Sequence, residues 1–421
     1  MTTPTAPTLA DLTRTFARIG CLSFGGPAAQ IALMHRSLID EKQWVSEPDY
    51  LRALSFCMLL PGPEAMQLAT WIGWKLHGTK GGLIAGGLFV LPGALVVLIL
   101  SMVYAAYGTL PLVAALFTGI QAAVVAVVVE ALIRVSKRAL KTRQAYFIAA
   151  LAFTALFFLN APFPLIIAAA GIYGYLTTCS TPDLPPAPAF STTAALKTAA
   201  LWATIWLAPL ALLMLTNPGI LADIGLFFAK LAILTFGGAY AVLAWMAQDV
   251  VQVKGWLTLP QMIDGLGLAE TTPGPLILVT QFVGYLAAHR EGGPLLGLAA
   301  AAITLWMTFI PSFLFIFTGA PFIARLTVMP RLSDALSAIT AAVVGVIANL
   351  SLWFALHVLF GTVNTVTVEP LRFVMPDITT LNPTALIIGL AAAWLLLWRH
   401  TPLLGVLALA AAASAAASFA G

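Results

Sequence analysis

Leu60-Pro61-Gly62-Pro63-Glu64 interrupts a long apolar segment, and Thr272-Pro273-Gly274-Pro275 interrupts a second one 212 positions later (274 − 62 = 212). Proline has no backbone N–H and glycine does not constrain the backbone, so two prolines around a glycine break a helix into two halves. The same shift relates a second pair of breaks, Ser23-Phe24-Gly25-Gly26 and Thr235-Phe236-Gly237-Gly238. The chain is therefore predicted to contain two homologous repeats, each with two broken helices.

The two repeats also match beyond the breaks. Trp44 corresponds to Trp256 at the shift of 212, and Pro92 corresponds to Pro311 at a shift of 219 (311 − 92 = 219), as expected after a short insertion in one loop. A proline-rich stretch, Thr181–Pro188, predicts a semi-rigid linker between the repeats. The predicted organisation is a first repeat at 1–179, a linker with a connector transmembrane helix at 180–223, and a second repeat at 224–421.

The composition is that of a membrane protein. Of the 421 residues, 61% are hydrophobic and 9% are charged, compared with about 25% charged in soluble domains. Only a bilayer accommodates so large an apolar fraction, and helices that satisfy their own backbone hydrogen bonds are suited to cross it. We therefore predict an all-α polytopic membrane protein.

Charged and reactive residues argue against several other classes. The net charge of +4 comes from residues in loops between apolar segments, so nucleic acid is not a predicted partner. The three cysteines and five histidines have no metal-ligand spacing, and no phosphate-binding GxxxxGK[ST] loop is present. The sequence predicts no metal, no cofactor and no enzymatic activity.

The apolar segments predict the number and relative orientation of the spans. Thirteen apolar segments are long enough, or nearly long enough, to span a bilayer, which takes at least about 17 residues. They fall at 16–34, 50–75, 82–107, 112–133, 145–159, 162–179, 196–216, 224–247, 261–287, 295–322, 333–357, 384–398 and 402–419. Six spans and one connector place the second repeat in the membrane upside down relative to the first, the inverted arrangement of many secondary transporters. The short segments at 145–159 and 384–398 are each expected to form a tight helical hairpin with the next segment.

Positive charge predicts the orientation in the membrane. The loop after the fourth segment contains five cations, namely Arg134, Lys137, Arg138, Lys141 and Arg143. Cytoplasmic loops are rich in lysine and arginine, so this loop is predicted to be cytoplasmic. Because four spans precede it, the N-terminus is predicted to be cytoplasmic as well.

The Pro-Gly-Pro breaks are the first candidate site for binding an anion. A half-helix that begins after Pro63 or Pro275 presents free N–H groups and the positive end of its dipole. In an inverted arrangement, the two ends are expected to converge near the bilayer midplane. The candidate binding residues here are Pro61, Gly62, Pro63, Gln67, Thr272, Pro273, Gly274 and Pro275. The alternative is a pair of proline kinks that only shape the helix bundle.

The Gly-Gly breaks are the second candidate. Paired glycines allow close backbone approach, and the hydroxyls of Ser23 and Thr235 are suited to donate to an oxyanion. Alternatively, these small residues only allow helices to pack closely. Arg18 and Lys230 occupy equivalent positions before the breaks and suit an anion path, although Arg18 is also explained as a cytoplasmic flank. The candidate glycines are Gly25, Gly26, Gly237 and Gly238.

Two glutamates beside the Pro-Gly-Pro breaks are candidates for proton coupling. Glu64 follows the first break and Glu270 precedes the second. An acid within a broken span is costly and therefore suggests a function, here protonation coupled to anion movement. The alternative for Glu64 is a structural role, in which its charge complements the positive end of the half-helix.

These motifs resemble the chromate ion transporter (CHR) family. The N-terminal match runs from Phe16 through Ser23-Phe24-Gly25-Gly26-Pro27 to the first Pro-Gly-Pro, and the C-terminal copy matches through Thr235 and the second. The resemblance covers essentially the whole chain and implies a long, two-domain member. It departs where Pro27 corresponds to Ala239 and Glu64 to Leu276, so no role of those two residues carries over to the second copy.

The family implies an inner-membrane transporter that lowers cytoplasmic chromate by efflux, with sulfate as a competing mimic. We expect a secondary transporter that exports chromate or a sulfate-like oxyanion by alternating access, with protons as the natural coupling ion. The alternatives are an anion channel, a transporter of another oxyanion such as sulfate, an intramembrane enzyme, and a structural or sensory membrane protein. The sequence leaves a homodimer open.

Overall fold

A computed structural model describes residues 7–178, 192–216, 218–236, 239–323, 329–368 and 371–420. Within them the chain forms fifteen α-helices and one two-stranded hairpin. The helices are α1 Leu9–Leu22, α2 Gly26–His35, α3 Glu47–Leu59, α4 Glu64–Tyr107, α5 Pro111–Ala139, α6 Arg143–Leu159, α7 Phe163–Thr177, α8 Thr192–Thr216, α9 Ile220–Leu234, α10 Ala239–Gln248, α11 Leu259–Thr271, α12 Val279–Gly319, α13 Pro330–Leu359, α14 Pro383–Leu397 and α15 Leu403–Ala420; the strands are β1 Val363–Val368 and β2 Leu371–Pro376. The predicted linker at Thr181–Pro188 lies outside the described residues.

Several helices are long and apolar enough to cross a bilayer. In the described part of the chain there are five, at Glu64–Tyr107, Pro111–Ala139, Thr193–Thr216, Leu276–Phe322 and Pro330–Leu359. Two of them are interrupted by non-helical backbone, at His77–Gly78 in α4 and at Gly292–Gly293 in α12. This architecture is that of an all-α polytopic membrane protein, as the composition predicts.

The apolar segment predicted at 50–75 is a hairpin and not a single crossing. α3 has 13 residues and is therefore about 20 Å long, shorter than the roughly 30 Å of a bilayer core. Lys75, near the end of the first arm of α4, forms an ion pair with Asp49 at the start of α3. α3 and the first arm of α4 therefore run antiparallel. The prolines at 61 and 63 produce the turn between them, since they end one helix and start the next. The Lys75 hydrogen bond also holds the pKa of Asp49 below its usual value.

The segment predicted at 16–34 is broken in the same way. α1 ends at Leu22, and α2 begins at Gly26 and continues through a π-helical turn, Arg36–Glu41. A hydrogen bond with Thr8 lowers the pKa of Asp11, and the charges of Arg14 and Lys42 lower it further.

The contacts divide the described chain into two compact units that each contain parts of both predicted repeats. The first unit consists of 1–102, 179–239 and 269–333, and the second of 103–178, 240–268 and 334–421. This division depends on which residues contact each other and not on which segments are homologous. The predicted repeat boundaries therefore stay a prediction.

The first unit is organised around α12. This helix packs against α8 and α9, and the indole N–H of Trp206 donates to the Met307 carbonyl at 3.2 Å. Large aromatic side chains such as Phe16, Phe89 and Phe282 are almost fully buried.

The second unit is organised around α5, which packs against α14 and α15. α6 and α7 form a tight hairpin, as expected from the sequence, because Gln144 at the start of α6 donates to the Tyr173 hydroxyl near the end of α7 at 2.8 Å. α14 and α15 also pack against each other.

The β-hairpin in the second unit is a feature that the sequence analysis missed. β1 and β2 pair antiparallel, with Val363 opposite Pro376 and Val368 opposite Leu371. The signal was present in Val363-Asn364-Thr365-Val366-Thr367-Val368, where five of six residues are β-branched, because β-branched residues favour a strand.

Candidate functional site

The two Pro-Gly-Pro breaks lie in the first unit and have the same backbone geometry. Gly62 has φ +114° and Gly274 has φ +91°. Residues with a side chain rarely adopt this left-handed region, so glycine is the residue suited to both positions. Glu64 then starts α4, and a short 3₁₀ turn at Leu276–Leu278 leads into α12.

Each Pro-Gly-Pro break is hydrogen-bonded to the Gly-Gly break of the other repeat. The Gly62 N–H donates to the Thr235 carbonyl at 2.9 Å, and the Gly274 N–H donates to the Ser23 carbonyl at 2.8 Å. The shift of 212 relates the two hydrogen bonds: the donor is in the first repeat in one bond and in the second repeat in the other. A two-fold axis between similar units produces such reciprocal contacts.

The half-helix N-termini after the two Pro-Gly-Pro breaks open onto one narrow pocket. A helix N-terminus has unpaired N–H groups and a positive dipole end. In this conformation the pocket has room for about one water molecule. Its lining residues are Pro27, Gln30, Gly62, Pro63, Glu64, Ala65, Thr235, Pro275, Leu276 and Ile277.

Ser23 and Thr235 contribute carbonyls to this arrangement. Both side chains are buried, and each hydroxyl donates to a carbonyl four residues earlier in its own helix, Ile19 or Leu231, at 2.6 Å. A hydroxyl has a single hydrogen, so neither donates to the pocket in this structure. Donation to an oxyanion therefore stays a prediction that requires a change of rotamer.

Two buried glutamines support the breaks, and both come from the first repeat. The Gln67 amide N–H donates to the Pro61 carbonyl at 2.7 Å, and the Gln30 amide N–H donates to the Gly274 carbonyl at 2.7 Å. In the described structure neither amide oxygen has a partner. The equivalent positions in the second repeat are Val242 and Val279. The sequence analysis singled out Gln67 and missed Gln30, although an isolated amide in an apolar helix was a usable signal.

A row of buried hydroxyls on α12, here called the hydroxyl row, reaches the first Pro-Gly-Pro break at its Ser312 end. Thr304, Thr308 and Ser312 are four residues apart and thus share a helix face. Each is at most 2% exposed, and within the described residues none of the three hydroxyls has a hydrogen-bond partner. The Ser312 Oγ lies 3.2 Å from the point where a Cβ on Gly62 would sit.

The hydroxyl row is specific to the second repeat, and the sequence analysis missed it. The equivalent residues of the first repeat are Ala85, Phe89 and Gly93. Elsewhere in the unit a buried hydroxyl donates to its own helix, as Ser101 does to the Val97 carbonyl at 2.7 Å. Comparing polar residues between the repeats would have revealed the row, whereas its lack of partners required coordinates.

The remaining predicted site residues lie in different environments. Glu64 is half-buried in the pocket, and Glu270 is 8% exposed near the end of α11. Thr272 is buried, and its hydroxyl donates to the Ala269 carbonyl at 3.1 Å. Arg18 and Lys230 lie on exposed faces of α1 and α9, and neither forms an ion pair among the described residues.

The Gly-Gly residues are only partly described. Gly25 and Gly26 have φ +84° and +79° and lead into α2. Gly237 and Gly238 lie outside the described residues. In the same described ranges, no group of three or more histidine, cysteine or acidic side chains is placed to hold a metal ion.

A larger cavity lies in the second unit. The volume that water can occupy in it is about 320 Å³, and its polar lining includes Asn349, His357 and Arg372. None of the predicted site residues lines it. The predicted site and this cavity are therefore separate features.

Long apolar helices combined with helices broken in a buried polar region define a polytopic membrane protein built on discontinuous helices. Within that class the chain belongs to the chromate transporter family, whose sequence profile matches residues 10–175 and 222–416.

Several relatives match most of the chain. A chromate transport protein from Cupriavidus metallidurans is 31% identical over 348 residues, which is 82% of each protein. One from Pseudomonas aeruginosa is 35% identical over 338 residues, 79% of this chain and 77% of the relative. An uncharacterized transporter from Methanocaldococcus jannaschii is 26% identical over 360 residues, 84% of this chain and 86% of the relative. No solved structure matches the chain.

Proposed function

We propose that the chain is a secondary transporter that exports chromate, or a sulfate-like oxyanion, from the cytoplasm. The observation that carries this proposal is the single pocket onto which two half-helix N-termini open, after Pro63 and after Pro275. Two positive dipole ends, with the N–H groups of a first helical turn, favour a small anion. Two relatives are named chromate transport proteins, which points to chromate within that chemical class.

The substrate site in this proposal combines the four breaks with their polar neighbours. First-turn amides and hydroxyls hold the oxyanion without a buried cation. The Ser312 end of the hydroxyl row lies on the Gly62 side. The proposed binding residues remain Arg18, Ser23, Gly25, Gly26, Pro61, Gly62, Pro63, Gln67, Lys230, Thr235, Gly237, Gly238, Thr272, Pro273, Gly274 and Pro275.

Alternating access is the proposed mechanism. The pocket is too narrow for a tetrahedral oxyanion in this conformation, so binding requires the half-helices to separate. Reciprocal contacts at Gly62 and Gly274 support equivalent movements in the two repeats. If both broken segments of a repeat fold back, the repeat has two fewer membrane crossings. The number of crossings then stays even or odd as before, so the inverted relation between the repeats is retained. The proposed location is the inner membrane with a cytoplasmic N-terminus.

Chromate uptake into everted membrane vesicles tests the transport activity. The expected result is saturable uptake that sulfate inhibits and that a pH gradient stimulates. Uptake that does not saturate and does not respond to the gradient would favour an anion channel. Sulfate uptake without chromate uptake would assign another oxyanion, and no uptake of either by membrane-inserted protein would refute the proposal.

Glu64 is proposed to couple anion movement to protons together with Glu270. Glu64 lines the pocket at the N-terminus of α4, where an anionic substrate would compete with its charge. We expect Glu64→Gln to abolish the stimulation of chromate uptake by a pH gradient, because the side chain can no longer be protonated. The exposed Glu291→Gln is the matched control and should behave as the wild type. Undiminished stimulation in Glu64→Gln would assign Glu64 the purely structural role.

The hydroxyl row is proposed to donate to the substrate. A hydrogen bond to a charged group contributes about 1.5–3 kcal/mol, so Ser312→Ala should raise the KM for chromate roughly tenfold or more. Ser101→Ala is the control, because this equally buried hydroxyl is already satisfied within its own helix. Initial rates over a range of chromate concentrations measure the effect. Equal KM values for the two variants would remove Ser312 from the site.

A further inference from the structure

Asp264 is a buried carboxylate that the sequence analysis and the proposed function leave unused. It lies on α11 in the second unit and is 4% exposed. The Tyr104 hydroxyl donates to its Oδ2 at 2.6 Å, and the Gln121 amide donates to its Oδ1 at 2.9 Å. Each carboxylate oxygen therefore has one donor, and both donors are neutral.

No positive charge compensates this carboxylate. Among the described residues Asp264 forms no ion pair. Tyr104, from the end of α4, is the ionisable group in contact with it, whereas α5 contributes the neutral Gln121. Next to this site, Ile120 and Val124 of α5 pack against Gly267 of α11. An acid within an apolar segment is costly, and acids of this kind are typical of proton relays in membrane transporters.

The hydrogen-bond partners can accommodate both protonation states. A charged Asp264 accepts from the two donors as observed. A protonated Asp264 needs an acceptor, and the Tyr104 hydroxyl can rotate to accept because it is both donor and acceptor. Both oxygens of the Asp264 carboxyl group therefore keep a hydrogen-bond partner in either protonation state.

The position on α11 connects this acid to the proposed substrate site through the chain. α11 ends at Thr271, directly before the second Pro-Gly-Pro break. The equivalent residue in the first repeat is Arg52, which is exposed and paired with Asp49 at 2.7 Å. Because the first repeat has an arginine here, the packing that the two repeats share does not explain why the second repeat has an acid at this position.

We infer that Asp264 is a proton-binding residue of the transport cycle, held by Tyr104 and Gln121, whose protonation controls the movement of α11 and thereby of the Gly274 break. The inference rests on the proposed transport activity for its role in coupling. Proton binding itself can be measured without any substrate.

Infrared titration of the purified protein in lipid tests proton binding directly. The wild type should show the carbonyl band of a protonated carboxylic acid, which disappears as the pH rises, and Asp264→Asn should lack that component. Asp223→Asn, which changes an exposed aspartate, is the matched control and should keep it. An identical band in the wild type and in Asp264→Asn would overturn the inference, whatever the outcome of the transport assay.

Transport in everted vesicles tests the coupling. We expect Asp264→Asn to retain exchange of labelled for unlabelled chromate within about twofold of the wild type, because exchange needs no net proton movement. Stimulation of uptake by a pH gradient should be lost. Full stimulation in Asp264→Asn would overturn the inference, whereas no chromate uptake by the wild type would refute the proposed function and leave the infrared result valid.

Tyr104→Phe keeps the test decisive if Asp264→Asn does not reach the membrane. This variant retains the carboxyl group but removes one donor to its charged form, so the pH midpoint of gradient-driven uptake should move to higher pH. Gly87→Ala, which adds a methyl group where no atom lies within 4 Å, is the control and should leave the midpoint in place. An unchanged midpoint in Tyr104→Phe would count against Asp264.

Discussion

Gly62→Ala is expected to reduce chromate transport to less than about a tenth of the wild-type rate. With φ at +114°, an alanine costs roughly 1–2 kcal/mol from backbone strain alone. Its Cβ would also lie 2.8 Å from the Gln67 amide nitrogen and 3.2 Å from the Ser312 Oγ. Gln67 donates to the Pro61 carbonyl and Ser312 lies beside Gly62, so relieving the contact displaces polar atoms of the first break that are proposed to hold the substrate. Initial uptake rates in vesicles, corrected for the amount of protein in the membrane, measure the effect.

Gly78→Ala is the control that separates the effect of backbone strain from the effect of a steric clash at the added Cβ. Gly78 also has a positive φ, +61°, but no atom lies within 4 Å of the position of an added Cβ. It should therefore lose some stability and retain most of its transport. Gly274→Ala is expected to resemble Gly62→Ala, since its φ is +91° and its Cβ would lie 2.9 Å from the Leu278 Cδ1. Near-normal transport by Gly62→Ala would remove the first break from the substrate site.

Gly93→Ala is expected to prevent stable assembly of the first unit. A Cβ on Gly93 would lie 2.1 Å from the Pro273 carbonyl oxygen and 2.7 Å from the Leu278 Cδ1. The carbonyl belongs to the backbone, so no change of rotamer relieves the contact, and α4 must move away from the second break. Overpacking of this kind typically costs 1–3 kcal/mol or more. The expected result is a large loss of folded protein and a lower Tm in detergent.

Gly87→Ala is the matched control for this variant, because it adds the same methyl group to the same helix where nothing lies within 4 Å. Its Tm should equal that of the wild type. If Gly93→Ala were as stable as Gly87→Ala, the close approach of α4 to the second Pro-Gly-Pro break would not exist in the folded protein.

The pattern of breaks could be predicted from the sequence because it depends on local chemistry. Proline removes a donor wherever it stands, so two prolines around Gly62 and Gly274 end a helix whatever the tertiary structure. Composition likewise assigns the chain to the membrane. Periodicity did not reveal that 47–76 folds back on itself, because a broken crossing and a hairpin have the same apolar pattern. The Asp49–Lys75 ion pair distinguishes them.

The polar residues of the candidate site could be predicted only in part. Gln67 and Glu64 were found because they are adjacent to a break in the sequence. Gln30 contacts the Gly274 carbonyl 244 positions away, and Asp264 meets Tyr104 across 160 positions. A local pattern contains no information about such pairs unless the lone polar residue is itself taken as a signal.

By itself, the sequence determined the duplicated breaks, the membrane environment and the family, since these depend on residue type and order. Only the tertiary structure decided which break pairs with which, that the half-helices after Pro63 and Pro275 open onto one pocket, and that the hydroxyl row is left without partners. The physical reason is that hydrogen bonding and burial depend on which distant segments meet. In this chain the bond from Gly62 to Thr235 spans both repeats.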